Sequence, residues 1–120
     1  MNKIVKLFIT SISAITLALV SFTSSFAKVD GEYIVLGSAI SLTGKYSSNG
    51  VHTQNGYNMA VDRINKMGGV EVQGKKYKFE IIYYDDESNP KRAAQLAERL
   101  IKQDGVHYML GPYSSGLTKA

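Results

Sequence analysis

The chain contains no cysteine, so no disulfide can brace it and packing alone must hold its fold. It has only two histidines, His52 and His107. One falls at an expected helix start and the other at an expected strand start, so neither is an obvious general base. Neither a Walker pattern nor G-x-G-x-x-G occurs, which removes the common glycine-rich phosphate loops. A membrane-spanning run is also missing. The uncharged apolar stretch Leu7 to Val20 is 14 residues long, whereas crossing the hydrocarbon core takes about 20.

That stretch fits a different purpose. Lys3 and Lys6 form a positive n-region before it, and Ser25-Phe26-Ala27 after it supplies the small residues that signal peptidase requires. Residues 1–27 are therefore expected to be a cleaved signal peptide, with the exported form beginning at Lys28. Its removal takes two of the 14 Lys+Arg and leaves 12 against 10 Asp+Glu. The remaining basic residues are spread along the chain, densest at Lys75, Lys76 and Lys78. No nucleic-acid footprint is expected from that distribution.

From Tyr33 to Ile40 the sequence is apolar and β-branched enough for a strand buried on both faces. Ser41 to Gly50 has loop chemistry. Tyr57, Met59, Ala60, Val61, Ile64 and Met67 then recur at helical spacing from a start near Val51, and Gly68-Gly69 ends the helix. Val70 to Lys76 has the composition of a turn around Gly74. A second strand is expected from Tyr77 to about Tyr84. Asn89 and Pro90 fit the N-cap and first position of a second helix, whose buried stripe is Ala93, Ala94, Leu96, Ala97, Leu100 and Ile101. Gly105 stops it, Val106 to Leu110 makes a short third strand, and Ser114-Ser115-Gly116 opens a third helix. This β-α-β-α-β order predicts an α/β fold, a parallel sheet with helices on both faces. A sheet whose last helix is barely begun is expected to belong to something longer.

Ligands of open α/β sheets bind outside the carboxyl ends of the strands, here Ser41 to Gly50, Asp85 to Asn89 and Gly111 to Gly116. In the last of these, the serine hydroxyls and helix-start amides suit an anion. Equally, one serine is simply a helix cap. A nucleophilic elbow is not met, because Pro112 stands where G-x-S-x-G needs its first glycine. Asp85-Asp86-Glu87 invites a metal reading, against which stands a solvated turn leading into a helix N-terminus, where acids are favoured. Tyr46 is either a pocket aromatic or a lone surface ring.

Three stretches together resemble one family. Ser41-Leu42-Thr43-Gly44 with Tyr46 and Gly50 looks like its first loop. Gly56, Ala60, Val61, Ile64, Asn65 and Gly68-Gly69-Val70 are similar to its G-x-x-x-A-[VI]-x-x-I-N-x-x-G-G-[VI] helix. Asp85-Asp86, Pro90, Ala93-Ala94, Gly111-Pro112 and Ser114-Ser115 match its later strand exits. The family is the type I periplasmic binding proteins of branched-chain amino-acid and amide ABC transporters.

The resemblance implies two α/β lobes closing on a small solute, which is then delivered to an inner-membrane ABC permease. Residues 28–120 would be the N-terminal part of lobe I, in a periplasmic protein with no enzymatic activity, no cofactor and no metal. It implies that Ser115 and nearby amides hold the ligand carboxylate, with Ser114, Gly116 and Tyr113 beside it. The family's first-loop aromatic matches Asn49, which is not aromatic here; Tyr46 is the nearest ring. Members with a disulfide join the positions of Ser88 and Ser114, both serine here. The alternatives are a sensory ectodomain on the same fold and an exported hydrolase.

Overall fold

The computed structural model describes residues 29–120; the expected signal peptide and its cleavage point lie outside them. Eight elements follow in order: β1 Val29–Asp30, β2 Tyr33–Ile40, α1 Ser47–Lys66, β3 Val70–Val72, β4 Lys75–Asp85, α2 Pro90–Lys102, β5 Tyr108–Met109 and α3 Ser115–Thr118. The three expected strands form the parallel centre of the sheet. β2 pairs with β4 from Tyr33↔Lys78 to Ile40↔Asp85, and on its other side with β5 at Leu36↔Tyr108 and Gly37↔Met109. The chain thus crosses from β2 outward to β4, then back over β2 to β5. Two right-handed crossovers in opposite directions put their helices on opposite faces.

The packing follows from that placement. On one face, α2 sets Leu100 against Val35 and Val106, with Ile82 and Tyr84 packed around them. On the other, Tyr57, Val61 and Ile64 of α1 face Ile34, Leu36 and Phe79 across an apolar hollow of about 500 Å³. Met59 and Met67, part of the expected apolar recurrence in α1, are 71% and 66% exposed. In α2, Ile101 likewise turns outward at 53%. Asn65 anchors the end of α1: its amide donates to the Phe79 carbonyl and accepts from the Phe79 N–H, both at 2.8 Å. It continues the ladder along that edge of β4 where β3, paired at Val70↔Tyr77, ends.

Three boundaries differ from expectation, each for a physical reason. The segment Val70 to Lys76 is a β-hairpin with a two-residue turn, because Gln73 (φ 52) and Gly74 (φ 78) both take the left-handed conformation that such hairpins need. The third strand narrows to Tyr108–Met109, although Leu110 N–H still donates to Gly37 O at 2.8 Å. The first helix starts at Ser47 rather than near Val51, so Ser47, Ser48, Asn49 and Gly50 are helical despite their loop composition. Tyr46 caps it without a side-chain bond; the Gly50 N–H donates to the Tyr46 carbonyl at 2.8 Å. A Cβ at Gly50 would overlap the Ser41 carbonyl oxygen, so the helix passes the end of β2 only because that residue is glycine.

Two glycines of the same helix should therefore respond oppositely to alanine. Gly56 has nothing within 4 Å of an added Cβ, so Gly56→Ala should stabilise by about 0.5–1 kcal/mol. Gly50→Ala should destabilise by about 1–3 kcal/mol through backbone displacement. Urea unfolding of the two variants checks the pair, and a stabilised Gly50→Ala would contradict the close approach.

Candidate functional site

The carboxyl ends of β2, β4 and β5 lie side by side, and each releases a loop. The first runs from Ser41 to Tyr46, the second from Asp86 to Asn89, and the third from Leu110 to Ser114. The third carries most of the candidate contacts. Ser114 is the N-cap of α3: its backbone is extended (φ −108, ψ 149) and its hydroxyl accepts from Leu117 N–H at 3.3 Å. Its carbonyl accepts from Thr118 N–H at 3.0 Å and from the Thr118 hydroxyl at 3.1 Å. Capping thus falls to Ser114, and the exposed Ser115 side chain makes no hydrogen bond among the described residues. Gly116 meets only Ser114 Oγ, 3.9 Å from an added Cβ, so no close approach requires a glycine there.

Tyr113 and Ser115 line an open depression of about 380 Å³ with Ser114, Thr118 and Lys119. Thr118 and Lys119 were not among the sequence candidates; only the helical turn after the cap brings them there. The Tyr46 ring reaches this group from the first loop, its centroid 6.0 Å from that of Tyr113 at an interplanar angle of 53°. Lys45 Nζ sits over the same Tyr46 ring, 4.7 Å from its centroid. Tyr46 thus contacts Tyr113 and Lys45, while the depression itself is lined by Tyr113 and not by Tyr46. Asn49 does not join the group: it is exposed in the first turn of α1, where its carbonyl accepts from the Thr53 hydroxyl at 2.9 Å.

The acidic turn after β4 has a role that its sequence did not reveal. Asp85 Oδ1 accepts from the N–H groups of Leu42 (2.9 Å), Thr43 (3.2 Å) and Glu87 (2.9 Å), and Oδ2 accepts from the Thr43 hydroxyl at 2.7 Å. Asp86 is fully buried, and its Oδ1 accepts from the Ser41 hydroxyl at 2.6 Å and Ser88 N–H at 2.7 Å. These carboxylates bond to the first loop instead of standing in a solvated turn. Among the described residues, no three acidic, histidine or cysteine side chains are grouped to hold a metal ion. Glu87 instead pairs with Arg92 Nε at 3.0 Å, and Asn89 caps α2 by accepting from Arg92 N–H at 3.2 Å. Ser88 and Ser114, which the resemblance aligns with a disulfide of some members, are each engaged separately. Ser114 caps α3, while the Ser88 hydroxyl donates to Thr43 O at 2.7 Å and accepts from Tyr46 N–H at 3.0 Å.

Three adjoining loops thus meet at the carboxyl edge of the parallel strands, where ligands of open α/β sheets commonly bind. A family model described as periplasmic binding protein matches residues 34–120. The chain belongs to the periplasmic binding protein family. It is 34% identical over 93 residues to the Leu/Ile/Val-binding protein BraC3 of Rhizobium johnstonii, covering 78% of this chain and 24% of that one. Its fold matches the crystal structure of the branched-chain amino acid transporter substrate binding protein LivJ of Streptococcus pneumoniae in complex with isoleucine. The TM-score there is 0.62 at 32% identity, over 70% of this chain and 23% of that one. A solute binding protein of Rhodopseudomonas palustris in complex with 3,4-dihydroxy benzoic acid aligns at TM-score 0.52 and 31% identity, over 65% and 20% of the two chains. The chain spans about a quarter of the length of the curated relatives it matches.

Burial pushes the Asp85 carboxyl up, but hydrogen bonds from the Thr43 hydroxyl and the Glu87, Leu42 and Thr43 amides outweigh it and hold the group below its ordinary value. A depressed folded-state value means that its contribution is complete above the ordinary aspartate range and is lost as pH falls through the lower, folded value. The stability gap between wild type and Asp85→Asn should therefore be widest near neutral pH and close in acid. Urea unfolding from pH 7 to pH 3 measures it; a gap of constant size would show that the charge on Asp85 does no such work.

Proposed function

We propose that this chain forms the opening part of the first lobe of an exported receptor, which binds a small amino-acid solute and delivers it to an ABC permease. The observation that carries the reading is the division of labour at α3. Ser114 takes the capping bond, which leaves the Ser115 hydroxyl available at the carboxyl edge, beside Tyr113. A zwitterionic solute entering the cleft brings a carboxylate that must give up water. The Ser115 hydroxyl replaces part of that hydration with a charge-assisted bond, the stronger kind. The Tyr46–Tyr113 pair offers apolar surface to the solute side chain. Isoleucine in the Streptococcus relative and 3,4-dihydroxybenzoate in the Rhodopseudomonas relative are both carboxylates, and membership of the family supports the transport role.

In a receptor of the relatives' full length, Ser115→Ala should weaken carboxylate binding by about 1.5–3 kcal/mol, the range for a hydrogen bond to a charged group, or roughly tenfold and somewhat more in Kd. The unliganded melting point should hardly move. Ser114→Ala should lower stability by about 1 kcal/mol through loss of the cap. Calorimetric titration with isoleucine and with 3,4-dihydroxybenzoate, beside unliganded melts, checks both variants. Unchanged affinity in Ser115→Ala removes that residue from the site, and a wild type that binds 3,4-dihydroxybenzoate but not isoleucine, or neither, overturns the amino-acid reading.

A further inference from the structure

Glu87 and Ser88 take φ values of 54 and 60, two consecutive non-glycine residues in the left-handed region. Such conformations are costly and persist where the surroundings over-determine them. Here the surroundings are specific: Glu87 N–H donates to Asp85 Oδ1 and Ser88 N–H to Asp86 Oδ1, while Asn89 N–H donates to the Asp86 carbonyl at 2.9 Å. The turn presses on the first loop. Gly44 faces it with φ 79, and an added Cβ there would lie 2.7 Å from both Glu87 O and Ser88 Oγ.

If the turn alone mattered, glycine would fill position 88 at lower cost. A serine stands there instead, 8% exposed, with both its capacities in use. Its one O–H donates to Thr43 O and its oxygen accepts from Tyr46 N–H. Tyr46 is the residue whose ring meets Tyr113 of the third loop. Three loops are thereby linked in series: the acidic turn fixes Ser88, Ser88 fixes the backbone of Tyr46, and Tyr46 fixes the aromatic wall beside Ser115.

We infer that Ser88 is a positioning residue of the solute site, held in a strained turn so that its hydroxyl sets where Tyr46 stands. The inference rests on the site reading given under Proposed function, because it supposes that Tyr46 lines the solute.

Two variants separate positioning from turn formation. Ser88→Gly removes the hydroxyl and relieves the strain, whereas Ser88→Ala removes the hydroxyl and keeps the strain. In the 120-residue chain, both should speed hydrogen exchange of the Tyr46 amide by about tenfold or more, since its buried partner is gone, and should weaken the nuclear Overhauser contact between the Tyr46 and Tyr113 rings. Neither readout needs a solute. If Ser88→Gly leaves both unchanged, Ser88 only shapes the turn and the inference fails. In a receptor of full length, Ser88→Gly should also reduce isoleucine affinity about tenfold. A loosened Tyr46 with unchanged affinity overturns the Ser88 inference alone. A wild-type receptor that binds neither isoleucine nor 3,4-dihydroxybenzoate overturns the site reading, and with it any site for Ser88 to serve.

Discussion

Where two parallel strands end side by side, the backbone beyond them loses its ladder partners, and every buried N–H released there must find another acceptor. In this chain the acceptors are the carboxylates of Asp85 and Asp86, at the end of β4. Between them they take the amides of Leu42, Thr43, Glu87 and Ser88 and the hydroxyls of Ser41 and Thr43. Asp86 N–H itself still donates to Ile40 O at 3.0 Å, so the ladder runs directly into this network. The shape of the carboxyl edge depends on it. Together with the Ser88 hydroxyl, which bonds Thr43 O and Tyr46 N–H, these bonds set the path of the first loop between β2 and α1.

The consequence for function is one of charge as well as shape. A solute carboxylate approaching an edge that carries Asp85, Asp86 and Glu87 should meet repulsion. Asp85 and the Oδ1 of Asp86 accept from loop donors, Asp86 Oδ2 is buried without a partner among the described residues, and Glu87 pairs with Arg92. What the edge presents around Ser115 is hydroxyls, the Tyr113 ring and Lys119. One set of residues thus gives the loops their path and leaves the depression without an acidic lining.

Much of the fold was legible because its signals are local. The apolar run of β2, the Asn89-Pro90 start of α2 and the Gly68-Gly69 end of α1 are each decided within a few residues. The errors arose where distant contacts won. Ser47 to Gly50 has poor helix propensity, yet it is helical because Gly50 lets α1 pass the Ser41 carbonyl. The short β3 was hidden because Glu71, Gln73, Lys75 and Lys76 have turn composition, while the pairing that makes them a hairpin is with β4. At the site, the edge position of Tyr113, Ser114 and Ser115 followed from strand order, and Tyr46 joined them as the nearest ring. Asn49, carried over from the family's first loop, stands in the first turn of α1. The acidic turn was read as solvated because the partners of Asp85 and Asp86 in the first loop lie 42 to 45 residues away, beyond any local pattern.

The central claim is that the first loop is held in place by the acidic turn before any solute arrives. Amide hydrogen exchange across the unliganded chain tests this most directly, because it reads each donor separately. The account requires the amides of Leu42, Thr43 and Ser88, though outside any strand or helix, to be protected to a degree comparable with those of β2. Exchange of these three amides at the rate of free, solvated backbone would contradict it.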